Sequence, residues 1–210
     1  MNKAVQPDDR TARARIRDAA LLCFAREGFS TPLRVIAREA GVSVPLITHH
    51  YGTKEVLRQT CDDWVMDRFL ELKLLAITQP DSVKGSLANT ASSSVLTVYM
   101  VRSFLDATSS ARSFFDRFVD HLRTIMDTAQ AAGIVNPSAD EEERIHVLAT
   151  QSLGGLLVEF VLDPPSDPTT FVDQVYSKRN LAAFMDLYSH PFFATSPITD
   201  SYVKTIEEKD

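Results

Sequence analysis

Apolar residues recur at helical spacing along nearly all of this 210-residue chain. Ile16, Ala19, Ala20, Cys23 and Phe24 keep the i, i+3, i+4, i+7, i+8 rhythm that lays one stripe along one side of a helix, and Gly28 is a left-handed stop. Thr31-Pro32 offers a side-chain cap followed by proline at the first helical position. Leu33, Ile36, Ala37 and Ala40 then share the face of a short second helix that closes at Gly41. Ser43 caps a third, residues 44–51, where Pro45 is tolerated because first-turn amides have no intrahelical partner. Gly52-Thr53 ends that helix and caps a long fourth one, lined by Leu57, Cys61, Trp64, Val65, Phe69, Leu72 and Leu75 as far as Pro80.

Every later segment again reads helical. Asp81-Ser82 starts a short helix, residues 93–106 form another, and residues 110–132 carry Phe114, Phe115, Phe118, Val119, Leu122, Ile125 and Met126 before Gly133. Ser138-x-x-Glu141 has the form of a capping box, opening a helix to about Leu162. Pro164-Pro165 breaks it, and Asp167-Pro168 caps a last long helix ending near His190-Pro191. No run shows strand periodicity and no segment repeats. The pattern predicts an all-α chain with an arm over 1–10, a small head over 11–58, a larger helical body over 59–195 and a polar tail from 196.

Composition narrows the function classes. Seven glycines in 210 residues leave no glycine-rich phosphate loop. The longest apolar stretch, 153–162, contains Glu159 and is too short for a bilayer. The amino terminus lacks the apolar run of a secretion signal, so the expectation is a cytoplasmic protein with no membrane partner. Cys23 and Cys61 build no disulfide framework and have no metal-ligand spacing. Net charge is −6, but residues 1–60 hold ten Lys/Arg against six acids, while the remainder carries 12 basic and 22 acidic residues. A polyanion would meet only the head.

Two short helices joined by a tight turn, residues 31–40 and 44–51, have the form of a helix-turn-helix. A rod of that width fits the major groove of B-DNA. Its inner face needs apolar anchors, supplied by Leu46 or Ile47 and by Tyr51, and its outer face would present Val44, Pro45, Thr48 and His49. Helix starts at Thr31, Ser43 and Lys54 can sit against phosphate, since helix amino termini expose amides and a positive dipole end. The interface expected from the sequence is therefore Thr31, Ser43, Val44, Pro45, Leu46, Thr48, His49, Tyr51 and Lys54. His49-His50 is no metal pair, because successive helical residues diverge.

The string TPLRVIAREAGVSVPLITHHYGTKEVL, residues 31–57, closely resembles the signature of the tetracycline-repressor (TetR) family of bacterial regulators. The likeness is carried by Thr31, Ile36, Ala37, Ala40, Gly41, Val42, Ser43, His50, Tyr51, Gly52, Lys54, Glu55 and Leu57, with Ile16, Ala19, Ala20, Phe24, Gly28 and Phe29 before them. The resemblance implies a homodimer of nine- or ten-helix subunits on a palindromic double-stranded DNA operator, with a small-molecule effector in the body. The effector is not identified, and no cofactor is implied. Thr48 stands where the family often has a phosphate-contacting tyrosine. Val44, Pro45 and Leu46 offer few donors and favour thymine methyl groups. Arg13, Arg15, Arg17 and Arg34 are candidates for compensating phosphate or minor-groove contacts, and the sequence does not decide among them.

The body carries no positive sign of catalysis. Glu143-x-x-His146 is half of a di-iron motif without its second half, and no G-x-S-x-G turn occurs. Trp64, Phe69, Tyr99, Phe104, Phe114, Phe115 and Phe118 are candidate pocket walls, with Arg102, His121 and Gln151 as candidate polar anchors. Helices 141–162 and 171–188 are the expected dimer surface, through Leu153, Leu156, Leu157, Phe160, Phe184, Leu187 and Tyr188. Gly154-Gly155 inside the first of them points to close approach by a partner helix or to a kink. A helical ligand-binding or interaction protein whose head does not bind DNA remains the alternative.

Overall fold

The helical rhythm is realised as helix. The computed structural model describes residues 7–79, 90–106, 109–175 and 178–190, and every regular element among them is an α-helix. The short helix expected at Asp81-Ser82 and the tail from Ser196 lie outside the described residues. Met1–Asp173 form one compact unit and Gln174–Asp210 a second.

Helix α1 (Pro7–Glu27) begins before the expected Thr11, so residues 7–10 belong to it rather than to an arm. Proline at the first helical position sacrifices no hydrogen bond. Ile16, Ala20, Cys23 and Phe24 are buried as their spacing predicts. Leu21 and Ala25, off that stripe, are buried as well. The reason is that α1 has neighbours on several sides: α2 (Leu33–Ala40), α4 (Lys54–Thr78) and α5 (Thr90–Leu105) all pack against it. A single amphipathic stripe therefore understates its burial.

α6 (Ser109–Ala131) and α7 (Glu141–Leu162) complete the body of the first unit, packing on each other and on α5. The capping box is divided between two residues. The Glu141 carboxylate accepts from the Ser138 amide at 2.6 Å, as its spacing predicts, yet Asp140 is the N-cap and accepts from the Glu143 amide at 3.0 Å. A carboxylate next to the helix end meets its partial positive charge directly, which the more distant Ser138 hydroxyl cannot do. Asp167 accepts from the Thr169 amide at 2.9 Å and so closes a turn instead of capping a helix. The final helix appears as α8 (Phe171–Val175) and α9 (Lys178–Ser189).

Three of the seven candidate pocket aromatics are core, and Trp64, Phe69, Phe104 and Phe115 are half-buried. Tyr99, Phe114 and Phe118 are buried. Phe104 meets Phe114 at 5.2 Å between ring centroids and Phe118 at 6.2 Å, and Phe69 meets Phe118 at 5.2 Å. Such ring pairs each add about 0.5–1.5 kcal/mol beyond area burial.

α7 is apolar on two opposite sides. Ile145, Ala149, Leu153 and Phe160 face the interior, so Leu153 and Phe160 are core residues rather than dimer contacts, and Leu156 and Leu157 are half-buried. Val147, Val158, Val161 and Leu162 lie uncovered, Leu162 at 78% exposure. Nothing comes within 4 Å of a Cβ built on Gly154 or Gly155. The whole helix has the length and apolar content of a membrane span, which the ten-residue stretch alone did not show. It opens on three glutamates, and one of its sides is buried within the protein while the other lies open.

Arg102, one of the candidate polar anchors, ties body to head. Its Nε donates to the Ala25 carbonyl at 2.6 Å and its Nη2 to the Arg26 carbonyl at 3.0 Å. These acceptors belong to the last turn of α1, where carbonyls have no helical partner. The guanidinium also lies over Phe160, 5.2 Å from the ring centre. Replacing Arg102 by Ala should cost about 1.5–3 kcal/mol in urea unfolding, the scale of hydrogen bonds to a charged group, and Arg102→Lys should recover only part of it.

Candidate nucleic-acid interface

The head is built so that one short helix is held by its inner face alone. Gly28 ends α1 at φ +84, and its amide donates to the Phe24 carbonyl at 2.9 Å. Gly41 ends α2 at φ +64, with its amide directed to Ala37 and Arg38, and so sets the turn into α3 (Val44–Tyr51). Both turns need left-handed backbone that a Cβ would strain. Ile47 and Tyr51 are buried, while Leu46 is only half-buried, so Ile47 is the inner anchor of the two apolar candidates. The Tyr51 hydroxyl donates to the Arg13 carbonyl at 2.7 Å and fastens the end of α3 to α1.

The outer face of α3 is open. Pro45, Thr48 and His49 are exposed and Val44 and Leu46 half-buried. Thr48 Oγ1 donates back to the Val44 carbonyl at 3.3 Å, which keeps the side chain close to its own helix. His49 and His50 sit edge to face with ring centres 5.4 Å apart; His49 is exposed and His50 half-buried. Ser43 is exposed in extended backbone, and its hydroxyl makes no capping bond, contrary to the expectation from sequence. Thr53 does cap: it accepts from the Val56 amide at 3.3 Å and starts α4 beside the half-buried Lys54.

Two of the expected residues point inward. Thr31 is 2% exposed, and its hydroxyl donates to the Gly28 carbonyl at 2.7 Å. The N-cap of α2 is Pro32, which has no side chain to offer, so Thr31 fixes the α1–α2 turn rather than presenting a hydroxyl outward. Tyr51 is likewise spent on packing, and burial pushes its phenol up from the usual range. Among the candidate arginines, Arg15 and Arg34 are exposed, and Arg13 is exposed over the Tyr51 ring at 5.3 Å. Arg17 is committed elsewhere, 4.4 Å from the centre of the Trp64 ring and paired with Asp18 at 2.7 Å.

Sequence and fold comparisons agree with this geometry. Residues 16–61 match the family described as bacterial regulatory proteins, tetR family, and residues 92–194 match the tetracyclin repressor-like C-terminal domain. The chain is 38% identical over 203 residues, 95% of its own length and 95% of the relative's, to the HTH-type transcriptional regulatory protein RaaS of Mycobacterium tuberculosis. Among solved folds it superposes on SmeT, the repressor of a Stenotrophomonas maltophilia multidrug efflux pump, with TM-score 0.54 at 21% identity, covering 84% of this chain and 91% of that one. Salmonella enterica GusR gives TM-score 0.56 at 20% identity, with 87% and 94% covered. The chain belongs to the TetR family of transcriptional regulators, with a helix-turn-helix DNA-binding head and a helical carboxy-terminal domain.

The inward role of Tyr51 is open to a direct check. Tyr51→Phe should lower folding stability by about 1 kcal/mol, one net hydrogen bond, in urea titration, and leave the salt dependence of DNA binding unchanged.

Proposed function

We propose that this chain is a ligand-responsive repressor, bound to a palindromic operator as a homodimer in the cytoplasm. The observation that carries it is the division of α3: Ile47 and Tyr51 are locked inward while Pro45, Thr48 and His49 stand exposed. In this reading Val44, Pro45 and Leu46 touch base edges, chiefly thymine methyls, and Thr48 and His49 reach bases or phosphate. The α3 start at Ser43 and the α4 start at Lys54 hold phosphates on either side. Thr31 and Tyr51 support the interface from within. Arg13, Arg15 and Arg34 supply further cations along the same domain.

The uncovered side of α7 supports the dimer. Val147, Gly154, Val158 and Leu162 follow one another at i, i+7, i+11 and i+15, a continuous strip that a second copy can cover. The two glycines let backbones approach closely. Two-fold pairing of this kind sets the recognition helices about 34–36 Å apart, one turn of DNA.

Footprinting on the DNA upstream of the protein's own gene, at two salt concentrations, tests the reading. A symmetric protected site whose affinity falls steeply with salt is expected; no protection at low salt contradicts it. Lys54→Ala should weaken binding to all DNA sequences alike and reduce the salt slope by about 1. Gly154→Leu should raise the helix propensity of the subunit by about 0.5–1 kcal/mol and yet shift sedimentation from dimer to monomer.

A further inference from the structure

One side of α5 is turned toward the head. Tyr99, Arg102 and Asp106 stand at i, i+3 and i+7, so their side chains leave the same face. The Tyr99 hydroxyl donates to Asp62 at 2.6 Å, and Asp106 accepts from Arg58. Between them Arg102 donates to the Ala25 and Arg26 carbonyls at 2.6 and 3.0 Å. Val98 and Val101 of the same helix are fully buried, which anchors α5 in the body.

Arg102 also reaches α7. Its guanidinium lies 5.2 Å from the centre of the Phe160 ring, and Phe160 is itself buried, edge to face with Phe171 at 5.9 Å. Phe160 stands on the inward side of α7, whose other side carries the strip of Val147, Gly154, Val158 and Leu162. A single planar group therefore lies between the pairing helix and the last turn of α1, the helix to which Tyr51 fastens α3. The fork fits closely: a Cβ built on Gly28 would stand 3.5 Å from Nη1. Two carbonyls and a ring fix the guanidinium in position and in plane, whereas an ammonium group would meet the same partners without a preferred plane.

A stiff joint at this point has a geometric consequence. One extra base pair between two half-sites moves them about 3.4 Å apart and turns one against the other by about 35°. A head free to swing on the body follows such a change; a head held at one angle does not.

We propose that Arg102 is a positioning residue that fixes the separation of the two recognition helices and so makes the protein selective for the spacing of operator half-sites. The fixed separation is a property of the free dimer; the spacing rule rests on the regulatory reading above.

His49→Cys, carrying a nitroxide on each subunit, reports the distance between the two α3 helices of the free full-length protein by double electron–electron resonance, since Cys23 and Cys61 are buried. With Arg102 in place, one narrow distance distribution is expected. Arg102→Met keeps an apolar contact with Phe160 but has no donor. It and Arg102→Lys should each widen the distribution at least twofold, with circular dichroism confirming that both are folded. Ile145→Val shortens a buried side chain of α7 far from Phe160, and should leave the width unchanged while lowering stability. A broad distribution with Arg102 in place, no dipolar signal, unaltered width in both Arg102 variants, or equal widening in Ile145→Val overturns the joint. On DNA, the protein with His49 restored should bind its protected site at least tenfold more tightly than the same site with one base pair added or removed at the centre. Arg102→Met should bind all three within threefold of one another; an unchanged spacing preference overturns its role in specificity. The distance measurement needs no DNA, so a protein that protects no fragment defeats the regulatory reading and the spacing rule with it, and leaves the joint to be judged by the labels.

Discussion

The carboxy-terminal half of α1 is the constraint on which the structure depends. Phe24 packs against Phe29 at 5.4 Å and Tyr99 at 6.4 Å, and Phe29 meets Tyr99 edge to face at 5.3 Å, so one aromatic group joins α1, the turn after it and α5. Arg102 closes the end of α1 from the body side. Arg58 lies over the Phe29 ring at 3.8 Å and pairs with Asp106, while the buried Tyr99 hydroxyl donates to Asp62 at 2.6 Å. A head of one long helix and two of eight residues has too little core of its own to be rigid. It gains rigidity because its first helix is also an internal helix of the larger domain.

That arrangement accounts for how a protein of net charge −6 can address a polyanion. Lysine and arginine excess is confined to the first sixty residues, and the inward bonds of Tyr51 and Thr31 hold the exposed side of α3 at a fixed angle to α1. In the proposed reading, base readout falls to a few short, mostly apolar side chains, with phosphate contacts supplying register. The Tyr51 hydroxyl, bonded to the Arg13 carbonyl, ties α3 directly to α1. Coupling of 1–3 kcal/mol is enough to shift affinity 5–150-fold.

Much of this was legible in the residues themselves. The helix-turn-helix pattern, the stop at Gly28, the cap at Thr53 and the inner anchor Tyr51 follow from spacing and turn chemistry that act locally. What escaped was whatever depends on neighbours. Thr31 and Ser43 both look like caps, yet a tertiary turn claims one and the other makes no capping bond, because cap propensity does not say which acceptor geometry the fold provides. α7 is apolar on both sides, so nothing in its sequence reveals that Leu153 and Phe160 face inward while Val158 and Leu162 do not. Arg102 and Trp64 are both only candidates for a pocket on residue type. Arg102 proves to be a helix cap, and Trp64 lines a cleft shared with α1, a neighbour some forty residues earlier in the chain.

The central claim is that the open side of α3 lies in the major groove twice, once per subunit. Cys23 and Cys61 are buried, and burial pushes the Cys23 thiol up to about 11 and that of Cys61 higher still, so a new surface thiol can be labelled selectively. A chain carrying His49→Cys with an attached iron chelate would cut DNA wherever residue 49 comes to rest. The account predicts two groups of strand breaks related by a two-fold axis and about 10 base pairs apart. Breaks scattered evenly along the fragment, or a single unpaired group, would contradict it.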